Sequence, residues 1–395
     1  MESKNKKTIL IFVDWYLPGY KAGGPIKSIS SLVNYLKNDF NFLIITSDTD
    51  FGESKPYPSL KCDTWIKIDT STSVFYASKE FLNRKNILTL TKSIEFDLIY
   101  LNSFFSFYFS ILPLFFCKRG IIRKPILIAP RGMLGTGALK LKSNKKKLFI
   151  MFSKFTCLHK HINWHATSEK ESQEIRNVFG QKSDISMVPN LQYNEISHSP
   201  LILKKTEGEL KLFFLSRISE KKNLLFALQL LQKINVNEHT KIQFDIYGPI
   251  EDKTYWQKCL EVINNLKSIG ININYFGAIK NEEVADMIAK YHFLLLPTLN
   301  ENYGHVIVES FVNGKPVIIS DQTPWRDLEN SNVGWDIALN NLSKFEKVIN
   351  DCIEMENTKY EKMVVDTLKY STLSCNSKNS LPSMKKMFNA AISNE

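Results

Sequence analysis

The sequence predicts an α/β protein of two doubly wound units, each a parallel sheet with helices on both faces. Apolar strand-like runs alternate with amphipathic helix-like runs along most of the chain. The alternation breaks once, near Val188–Tyr193, and restarts at Lys211. The length of 395 residues exceeds one ordinary core and fits two domains. We therefore expect one domain over residues 1–195 and a second over 196–395.

In the first half, short apolar runs predict buried strands. They are Thr8–Asp14, Phe42–Thr46, Leu98–Leu101, Pro125–Ala129 and Ile162–Ala166. Apolar side chains at helical spacing predict a helix over Ile26–Lys37. Ser168 as the cap and Glu171 at the capping-box position predict a second helix over Glu169–Val178.

The second half repeats the alternation without repeating the sequence. Strands are expected at Lys211–Leu215, Ile242–Tyr247, Ile271–Phe276, Phe293–Pro297 and Pro316–Ser320. Helices are expected at Asn223–Leu231, Tyr255–Lys267, Glu282–Lys290 and Val306–Asn313. The C-terminal stretch Tyr360–Ile392 is expected to include a helix that returns to the first domain. Because open parallel sheets bind ligands at the carboxyl ends of their strands, we expect both units to face a common cleft.

The formal net charge of +11 is concentrated in one stretch of the first half. No Asp or Glu occurs between Asp97 and Glu169, whereas lysines and arginines are frequent there. Such a surface attracts polyanions, of which anionic lipids, phosphate-linked acceptors and nucleic acid are the candidates. A solvated basic face without a specific partner is the alternative. We expect peripheral contact with the inner face of a cytoplasmic membrane and no nucleic acid.

The cysteines and the apolar runs indicate the cellular compartment in which the protein is expected. The six cysteines form no CxxC pair and indicate free thiols in a reducing cytoplasm. The apolar run Ile9–Val13 is too short for a signal-peptide core. The uncharged stretch Leu98–Cys117 approaches the length of a membrane span but contains several polar residues and a proline. It predicts a buried strand and a buried helix, with shallow membrane contact through its phenylalanines as the alternative.

A first candidate site follows the strand that ends at Pro297. Its loop carries Glu301, and Gly304 permits a tight turn into a helix that begins near His305 or Val306. Exposed amides at a helix start favour an anion. Glu309, about one turn into the helix, and Glu301 could hold hydroxyls of a sugar and a ribose. The alternative is two solvent-facing glutamates beside an ordinary turn.

A second candidate site is cationic and follows the strand Lys211–Leu215. Arg217 offers a fork of donors for phosphate oxygens, and Lys222 adds a compact charge. Together they could stabilise a diphosphate leaving group. We expect the neighbouring Lys221 to be solvated. Gly248, after the next strand, is included as a further nucleotide contact.

Two loops of the first half complete the set. Gly23 and Gly24 allow the backbone to approach a phosphate or sugar closely, although paired glycines before proline also mark common turns. They do not form a GxGxxG fingerprint, which argues against a dinucleotide-binding enzyme. Arg131 follows another strand and would point towards the cleft, with a solvated loop arginine as the alternative.

Taken together, these loops resemble the large retaining glycosyltransferase family with the two-domain GT-B fold, usually called family 4. The similarity covers nearly the whole chain. The matching segments are the glycine pair at 23–24, Pro-Arg-Gly-Met at 130–133, His-Ala-Thr-Ser-Glu at 165–169, Val-Pro-Asn at 188–190, Ser-Arg with a later lysine at 216–222 and Glu-x7-Glu at 301–309. The segment 320–328, followed by Gly334-Trp335, resembles bacterial members that build surface polysaccharides such as O-antigen, capsule or exopolysaccharide.

The resemblance implies a role for each position. Arg217 and Lys222 would bind the donor diphosphate and neutralise it as the sugar leaves. Glu309 would hold the ribose, and Glu301 would contact the transferred sugar. Backbone amides over Tyr303–Val306 would help to hold sugar and phosphate, and Gly24 would approach the donor from the opposite domain.

The resemblance also implies the substrates. The donor would be a nucleotide-diphosphate sugar, with UDP or GDP expected as the nucleotide, and the acceptor a glycan or a polyprenyl-diphosphate-linked sugar. No cofactor and no metal is expected for the transfer. The only Asp-x-Asp sequence, Asp48-Thr-Asp50, is a weak metal candidate.

Some positions depart from the family pattern. Many relatives carry a histidine after the fourth strand of the first domain, where this chain has Asn102 and Ser103. Either side chain could replace the histidine by hydrogen bonding. Tyr303 stands where phenylalanine is commoner, and Ser310 where alanine is commoner.

Two other functional classes stay open at the level of sequence. A sugar-nucleotide epimerase can share the two-domain fold but would lack an acceptor site. A non-catalytic basic binding protein would explain the positive stretch but not the carboxylates Glu301 and Glu309 beside Arg217 and Lys222. Fold analogy alone does not separate these classes.

Overall fold

The protein consists of two compact units, seen in a computed structural model that describes residues 6–58, 60–135, 139, 143–160, 162–191, 203–375 and 377–393. Unit 1 comprises Met1–Tyr193 together with Ser377–Glu395, and unit 2 comprises Asn194–Asn376. The predicted domain boundary at residues 195 and 196 lies outside the described residues.

Unit 1 contains a sheet with eight strands among its described residues. In space they run β3-β4-β2-β1-β5-β6-β7-β8. All neighbours are parallel except β3 and β4, which are antiparallel. The strands are β1 Thr8–Phe12, β2 Asn41–Ser47, β3 Trp65–Lys67, β4 Thr72–Ala77, β5 Leu98–Leu101, β6 Ile126–Ile128, β7 Asn163–Ala166 and β8 Asp184–Met187.

Helices connect these strands across both faces of the sheet. They are α1 Gly24–Leu36, α2 Arg84–Lys92, α3 Leu112–Lys118, α4 Ser143–Phe155 and α5 Glu169–Phe179, with a π-helical turn at Phe107–Ile111 leading into α3. In α1 a proline stands at the start, and Ile29, Leu32 and Leu36 are buried at helical spacing. The segment Leu98–Cys117 thus forms a buried strand followed by a helix.

Unit 2 contains a parallel sheet of six strands in its described part, in the order β11-β10-β9-β12-β13-β14. The strands are β9 Glu209–Leu215, β10 Lys241–Tyr247, β11 Asn272–Gly277, β12 Phe293–Leu296, β13 Val317–Ser320 and β14 Gly334–Ile337. The helices are α6 Leu224–Leu231, α7 Lys253–Ser268, α8 Val284–Ile288, α9 His305–Val312, α10 Leu342–Ile353 and α11 Asn357–Ser374, with 3₁₀ turns at Glu220–Lys222 and Asn281–Glu283.

The last helix, α12 (Ser377–Ser393), packs on unit 1. Phe388 is fully buried, and its ring lies 5.7 Å from that of Phe40 and 5.4 Å from that of Tyr100. Lys385 Nζ lies 2.8 Å from Asp39 Oδ1. Aromatic contacts of this kind contribute beyond their buried area, so α12 is part of the unit 1 core.

The strand orders confirm the predicted fold class of two doubly wound α/β units. Among the parallel strands of each sheet the order reverses between β1 and β5 in unit 1 and between β9 and β12 in unit 2. At such a switch point the connections leave in opposite directions and open a crevice at the carboxyl ends of the strands. The loops after β1, β5, β9 and β12 are therefore the places to look for ligand sites.

No helix in the described ranges is both long and apolar enough to span a membrane. Within the same ranges no group of three or more His, Cys, Asp or Glu side chains is arranged to hold a metal ion.

Asp50, from the Asp-x-Asp sequence, accepts hydrogen bonds from the amides of Tyr20, Lys21 and Phe51. It thereby orders the loop that leads to Gly23.

Candidate active site

The loops after β9 and β12 are fastened to each other at the switch point of unit 2. The carbonyl oxygen of Lys221 accepts hydrogen bonds from Thr298 Oγ1 at 3.0 Å and from the Leu299 amide at 2.9 Å. Asn223, in a left-handed conformation with φ 60°, donates from Nδ2 to the Pro297 carbonyl at 2.9 Å. These bonds fix the position of side chains on one loop relative to those on the other.

Lys222 and Glu301 form an ion pair across these two loops. Lys222 Nζ donates to Glu301 Oε2 at 2.5 Å, and each side chain is only 13% exposed. A pair this sheltered from water interacts more strongly than a surface pair. The two residues come from separate sequence motifs, and the fold brings them into direct contact.

The electrostatics of the pair keep Glu301 ionised. Burial alone would raise the pKa of this carboxyl, but the charges of Lys222 and Lys221 and the hydrogen bond from Lys222 hold it below its ordinary value. The Glu301 amide also donates to the Gln322 carbonyl at 3.0 Å. The carboxylate is therefore a fixed hydrogen-bond acceptor at the carboxyl end of β12.

Arg217 lies two residues after β9 and pairs with a residue on the neighbouring loop. Its Nη1 is 3.2 Å from Oε1 of Glu251, and both side chains are about one third exposed. Glu251 could not be identified from the sequence, because a counter-ion 34 positions away leaves no local pattern. The pairing orients the guanidinium at the carboxyl edge of the sheet.

Gly304 and the start of α9 lie beside the Lys222–Glu301 pair. Gly304 has φ 81°, and a Cβ there would lie 2.8 Å from Ile307 Cδ1 and 3.2 Å from Glu301 Cγ. Helix α9 begins at His305, within the predicted range. The amides of Ile307 and Val308 donate to the Gly304 carbonyl, and the N-terminal end of α9 carries the positive end of the helix dipole beside the Lys222–Glu301 pair.

Aromatic packing holds the turn before α9 in place. Tyr303 is 9% exposed, and its ring lies 5.0 Å from that of His305 and 6.0 Å from that of Trp325. Trp325 Nε1 donates to the Tyr303 carbonyl at 2.6 Å. The Tyr303 side chain is thus a packing element, and its backbone is rigidly placed. Glu309 and Val306 are half-buried on α9.

Gly248 is required for steric reasons. It follows β10 with φ 130°, and a Cβ there would lie 1.8 Å from the carbonyl oxygen of Ser216, next to Arg217. Its amide donates to the Gly277 carbonyl at 2.7 Å. This close approach lets the loops after β9 and β10 run side by side. A nucleotide contact of Gly248 stays a prediction.

In unit 1, Gly23 and Gly24 stand at the start of α1. Gly23 caps the helix with φ 65°, a conformation that favours glycine, and Gly24 is its first residue. Among the described residues, no heavy atom lies within 4 Å of a Cβ built on Gly23. The glycine therefore serves backbone conformation rather than tight packing within this part of the chain.

Arg131 is engaged in a network within unit 1. It donates from Nε to Asn102 Oδ1 at 2.7 Å, from Nη2 to the Tyr100 hydroxyl at 2.9 Å, and from Nη1 to Asn190 Oδ1. Asn102 is 3% exposed, and its Nδ2 has no partner among the described residues. The network favours a positioning role for Arg131, and a donor contact stays a prediction.

A neutral histidine completes that network. Burial and the charge of Arg131 lower the pKa of His165 to about 3. His165 Nε2 lies 2.8 Å from the Val188 carbonyl, which can only accept, so this nitrogen carries the proton. Nδ1 then accepts from the Tyr100 hydroxyl at 2.7 Å.

The predicted capping box on α5 differs in one respect. Ser168 Oγ accepts from the Glu171 amide at 3.2 Å, as predicted. The Glu171 carboxylate, however, is fully buried and accepts from the amides of Gly132 at 2.7 Å and Thr167 at 2.8 Å. The glutamate therefore also ties α5 to the loop that carries Arg131.

The switch point of unit 1 carries a carboxyl that the sequence analysis did not select. Asp14 follows β1 and accepts from Ser106 Oγ at 2.6 Å. Burial raises the pKa of Asp14, partly offset by hydrogen bonds from Ser106 and Ser103. Its only sequence signal is a carboxyl just after a buried strand.

The structure thus groups Lys222, Glu301 and Gly304 in unit 2. In unit 1 it places Asp14, Asn102 and Arg131 along one edge of the sheet.

Comparison with protein families agrees with this architecture. Residues 199–367, which lie in unit 2, match the family model described as Glycosyl transferases group 1. No curated protein sequence matches the chain.

Solved structures of GT-B glycosyltransferases share the fold over the full length. Sucrose-phosphate synthase from Thermosynechococcus elongatus is 15% identical, with a TM-score of 0.72 over 99% of this chain and 100% of that one. Anabaena Alr3699/HepE in complex with UDP and glucose is 14% identical, with a TM-score of 0.68 over 97% and 100%. A glycosyltransferase from Rickettsia africae is 16% identical, with a TM-score of 0.64 over 99% and 100%. The fold is therefore GT-B.

Proposed function

We propose that this protein, whose residues 199–367 match the Glycosyl transferases group 1 model, is a retaining glycosyltransferase. It moves a sugar from a nucleotide-diphosphate sugar to a glycan or polyprenyl-diphosphate-linked acceptor in the synthesis of a bacterial surface polysaccharide. The observation that carries the proposal is the Lys222–Glu301 pair beside the start of α9. A cation, a fixed carboxylate and a helix N-terminus together suit a sugar attached to a diphosphate.

In the proposed reaction, the donor diphosphate lies against Arg217, Lys222 and the first amides of α9. The bond between C1 of the sugar and the phosphate oxygen breaks, and its electron pair stays on the diphosphate. The cationic groups stabilise that growing charge more than they stabilise the intact donor, which is what accelerates the step. Lys222 has three N–H donors, of which Glu301 takes one.

Glu301 and Glu309 supply the specificity for the sugar and the ribose. An ionised carboxylate accepts strong hydrogen bonds from hydroxyl groups, and Glu301 is held ionised by its lysine neighbours. The acceptor hydroxyl attacks C1 on the face that the leaving group occupied, and its proton passes to the departing phosphate oxygen. This sequence of bonds retains the anomeric configuration.

UDP is the first donor nucleotide to test, because a protein of the same fold was solved in complex with UDP and glucose. GDP is the second. No protein cofactor and no metal enters the proposed step. A sugar-nucleotide epimerase would instead change the sugar of the donor itself without any acceptor.

The test is a product analysis with the purified protein, a UDP-sugar and a bacterial lipid extract as the acceptor. We expect release of the nucleoside diphosphate together with an acceptor-linked sugar whose anomeric configuration, read by proton NMR, equals that of the donor. A sugar converted within the nucleotide donor, with no acceptor product, would contradict the proposal and favour the epimerase. An inverted anomer would contradict the retaining mechanism alone.

A further inference from the structure

Helix α4 of unit 1 presents an apolar face to solvent. Leu148, Met151, Phe152 and Phe155 are 62%, 63%, 57% and 87% exposed. They stand at positions i, i+3, i+4 and i+7, so their side chains lie on one side of the helix. Elsewhere in the described residues, exposed large apolar side chains are scattered among other elements.

The opposite side of α4 is fixed in the core. The ring of Phe149 lies 5.9 Å from that of Phe105 and 6.2 Å from that of His159. Ser153 is 1% exposed, and its Oγ is 2.8 Å from His159 Nδ1. Since these contacts determine the rotation of the helix, the apolar face cannot turn inwards.

The charge around this face is positive. Lys145, Lys147 and Lys154 are exposed on α4 itself, and the segment from Leu98 to Ser168 contains no acidic residue. The positive region continues beyond the C-terminal end of the helix. There Lys118 Nζ donates to the carbonyl of Lys160, and Arg119 follows Lys118 on α3.

The exposed apolar face lies on α4, whereas the sequence had suggested membrane contact through the phenylalanines of Leu98–Cys117. Among the phenylalanines of Leu98–Cys117, Phe104, Phe109 and Phe116 are buried, and Phe107 is the one exposed large apolar side chain. That segment therefore contributes core packing rather than an exposed face.

We propose that the α4 face, defined by Leu148, Met151, Phe152 and Phe155, docks on an anionic membrane surface. The apolar side chains enter the boundary between headgroups and acyl chains, and the surrounding lysines contact lipid phosphates. Pairing with a second copy is disfavoured because it would bring two lysine-rich rims together. The inference rests on the proposed function, for which a membrane-bound acceptor would be presented at the same surface.

The test is vesicle co-flotation of the full chain without donor or acceptor. Vesicles of phosphatidylglycerol and phosphatidylethanolamine are compared with vesicles of phosphatidylcholine alone, at low salt. We expect wild type to prefer the anionic vesicles by at least about tenfold. The double variant Phe152→Ser, Phe155→Ser should bind them at least about tenfold less. The triple variant Lys145→Gln, Lys147→Gln, Lys154→Gln should lose about 100-fold.

The matched control is Leu373→Ser on α11, an apolar side chain 77% exposed in unit 2, and it should bind as wild type does. Thermal melting of each variant checks that the fold is retained. Equal binding of the double variant and the control, equal binding to both vesicle types, or a wild-type dimer that the double variant disrupts would each overturn the proposal. Donor binding, measured on the same samples, reports on the proposed function separately.

Discussion

In the proposed reaction Lys222 stabilises the leaving diphosphate, and in the structure it contacts Glu301 directly from the loop that holds Arg217. We expect Lys222→Ala to lower kcat by about 100- to 1,000-fold, because a cation that stabilises the leaving diphosphate is lost. It should also lower the free energy of unfolding by about 2 kcal/mol, because Glu301 is left without its partner. Steady-state kinetics and urea unfolding measure the two effects.

The matched control is Lys221→Ala, one position earlier on the same loop. Contrary to the sequence-based prediction that Lys221 is solvated, it is half-buried, and its charge also lowers the pKa of Glu301, although less than the charge of Lys222 does. We expect the loss in kcat to be at least about tenfold smaller than that of Lys222→Ala, about 1.4 kcal/mol in barrier height, because Lys222 alone is hydrogen-bonded to Glu301. An equal loss of kcat in both variants would mean that the positive charge of the loop in general, and not the Lys222–Glu301 pair, supports the reaction.

Glu301 makes stability depend on pH. Its pKa in the folded protein is lower than its ordinary value of 4.5, so its stabilising effect is complete above that value. The effect is lost as the pH falls through the folded pKa. We expect the Tm difference between wild type and Glu301→Gln to be largest at about pH 7 and to shrink below pH 4.5. A difference that grows on acidification would contradict this account.

Residues in motifs could be predicted from the sequence, but their partners could not. Lys222, Glu301 and Glu309 follow buried strands at recognisable spacings. Glu251, the counter-ion of Arg217, is set by the close approach of two loops, which only tertiary structure determines. The same holds for Asn102, whose contact with Arg131 joins residues 29 positions apart.

At the scale of elements, Gly248 decides whether the loops after β9 and β10 can lie together. We expect Gly248→Ala to lower the free energy of unfolding by roughly 3 kcal/mol, because its Cβ would overlap the Ser216 carbonyl at 1.8 Å. Gly270→Ala is the control, since Gly270 also has positive φ but nothing within 4 Å of the added atom. It should cost only about 1 kcal/mol. If urea unfolding gave equal losses of stability for the two variants, backbone strain at positive φ would account for the whole effect, and the overlap with the Ser216 carbonyl would contribute nothing.

The buried carboxylate of Glu171 fastens α5 to the loop of Arg131. Glu171→Gln should lower the free energy of unfolding by about 2–3 kcal/mol, because three donors from Gly132 and Thr167 lose a charged acceptor. Glu169→Gln is the control in the same helical turn, with a side chain 73% exposed, and should change it by less than about 0.5 kcal/mol. A smaller loss for Glu171 than for Glu169 in urea unfolding would refute the fastening role.

Element prediction succeeded for the central strands, whose apolar runs are continuous, and missed β3, β8 and β14 at the sheet edges and the inner strand β4. The central strands β1, β5, β9 and β12 are almost wholly buried and read as apolar runs. The edge strands β3 and β8 are short and contain no fully buried residue, with sequences WIK and DISM, so they leave no such pattern. Their positions follow from pairing with β4 and β7.

At the scale of the whole molecule, the alternation of strands and helices was enough to predict two doubly wound units. The strand order could not be predicted in this way, because it depends on which side of the central strand each connection takes. That order places the loops after β9 and β12 at a switch point, and so explains why two distant motifs meet as Lys222 and Glu301.

Under the proposed function, unit 2 binds a nucleotide-diphosphate sugar through Arg217 and Glu309. Isothermal titration calorimetry with UDP-, GDP-, ADP- and dTDP-sugars tests it on wild type, Arg217→Ala and Glu309→Ala, with Lys258→Ala, an exposed lysine on α7, as the control. We predict that one nucleotide class binds wild type and the control, and that each site variant weakens Kd at least tenfold, about 1.4 kcal/mol. Absence of binding for every donor, or equal binding by all four proteins, would contradict the account.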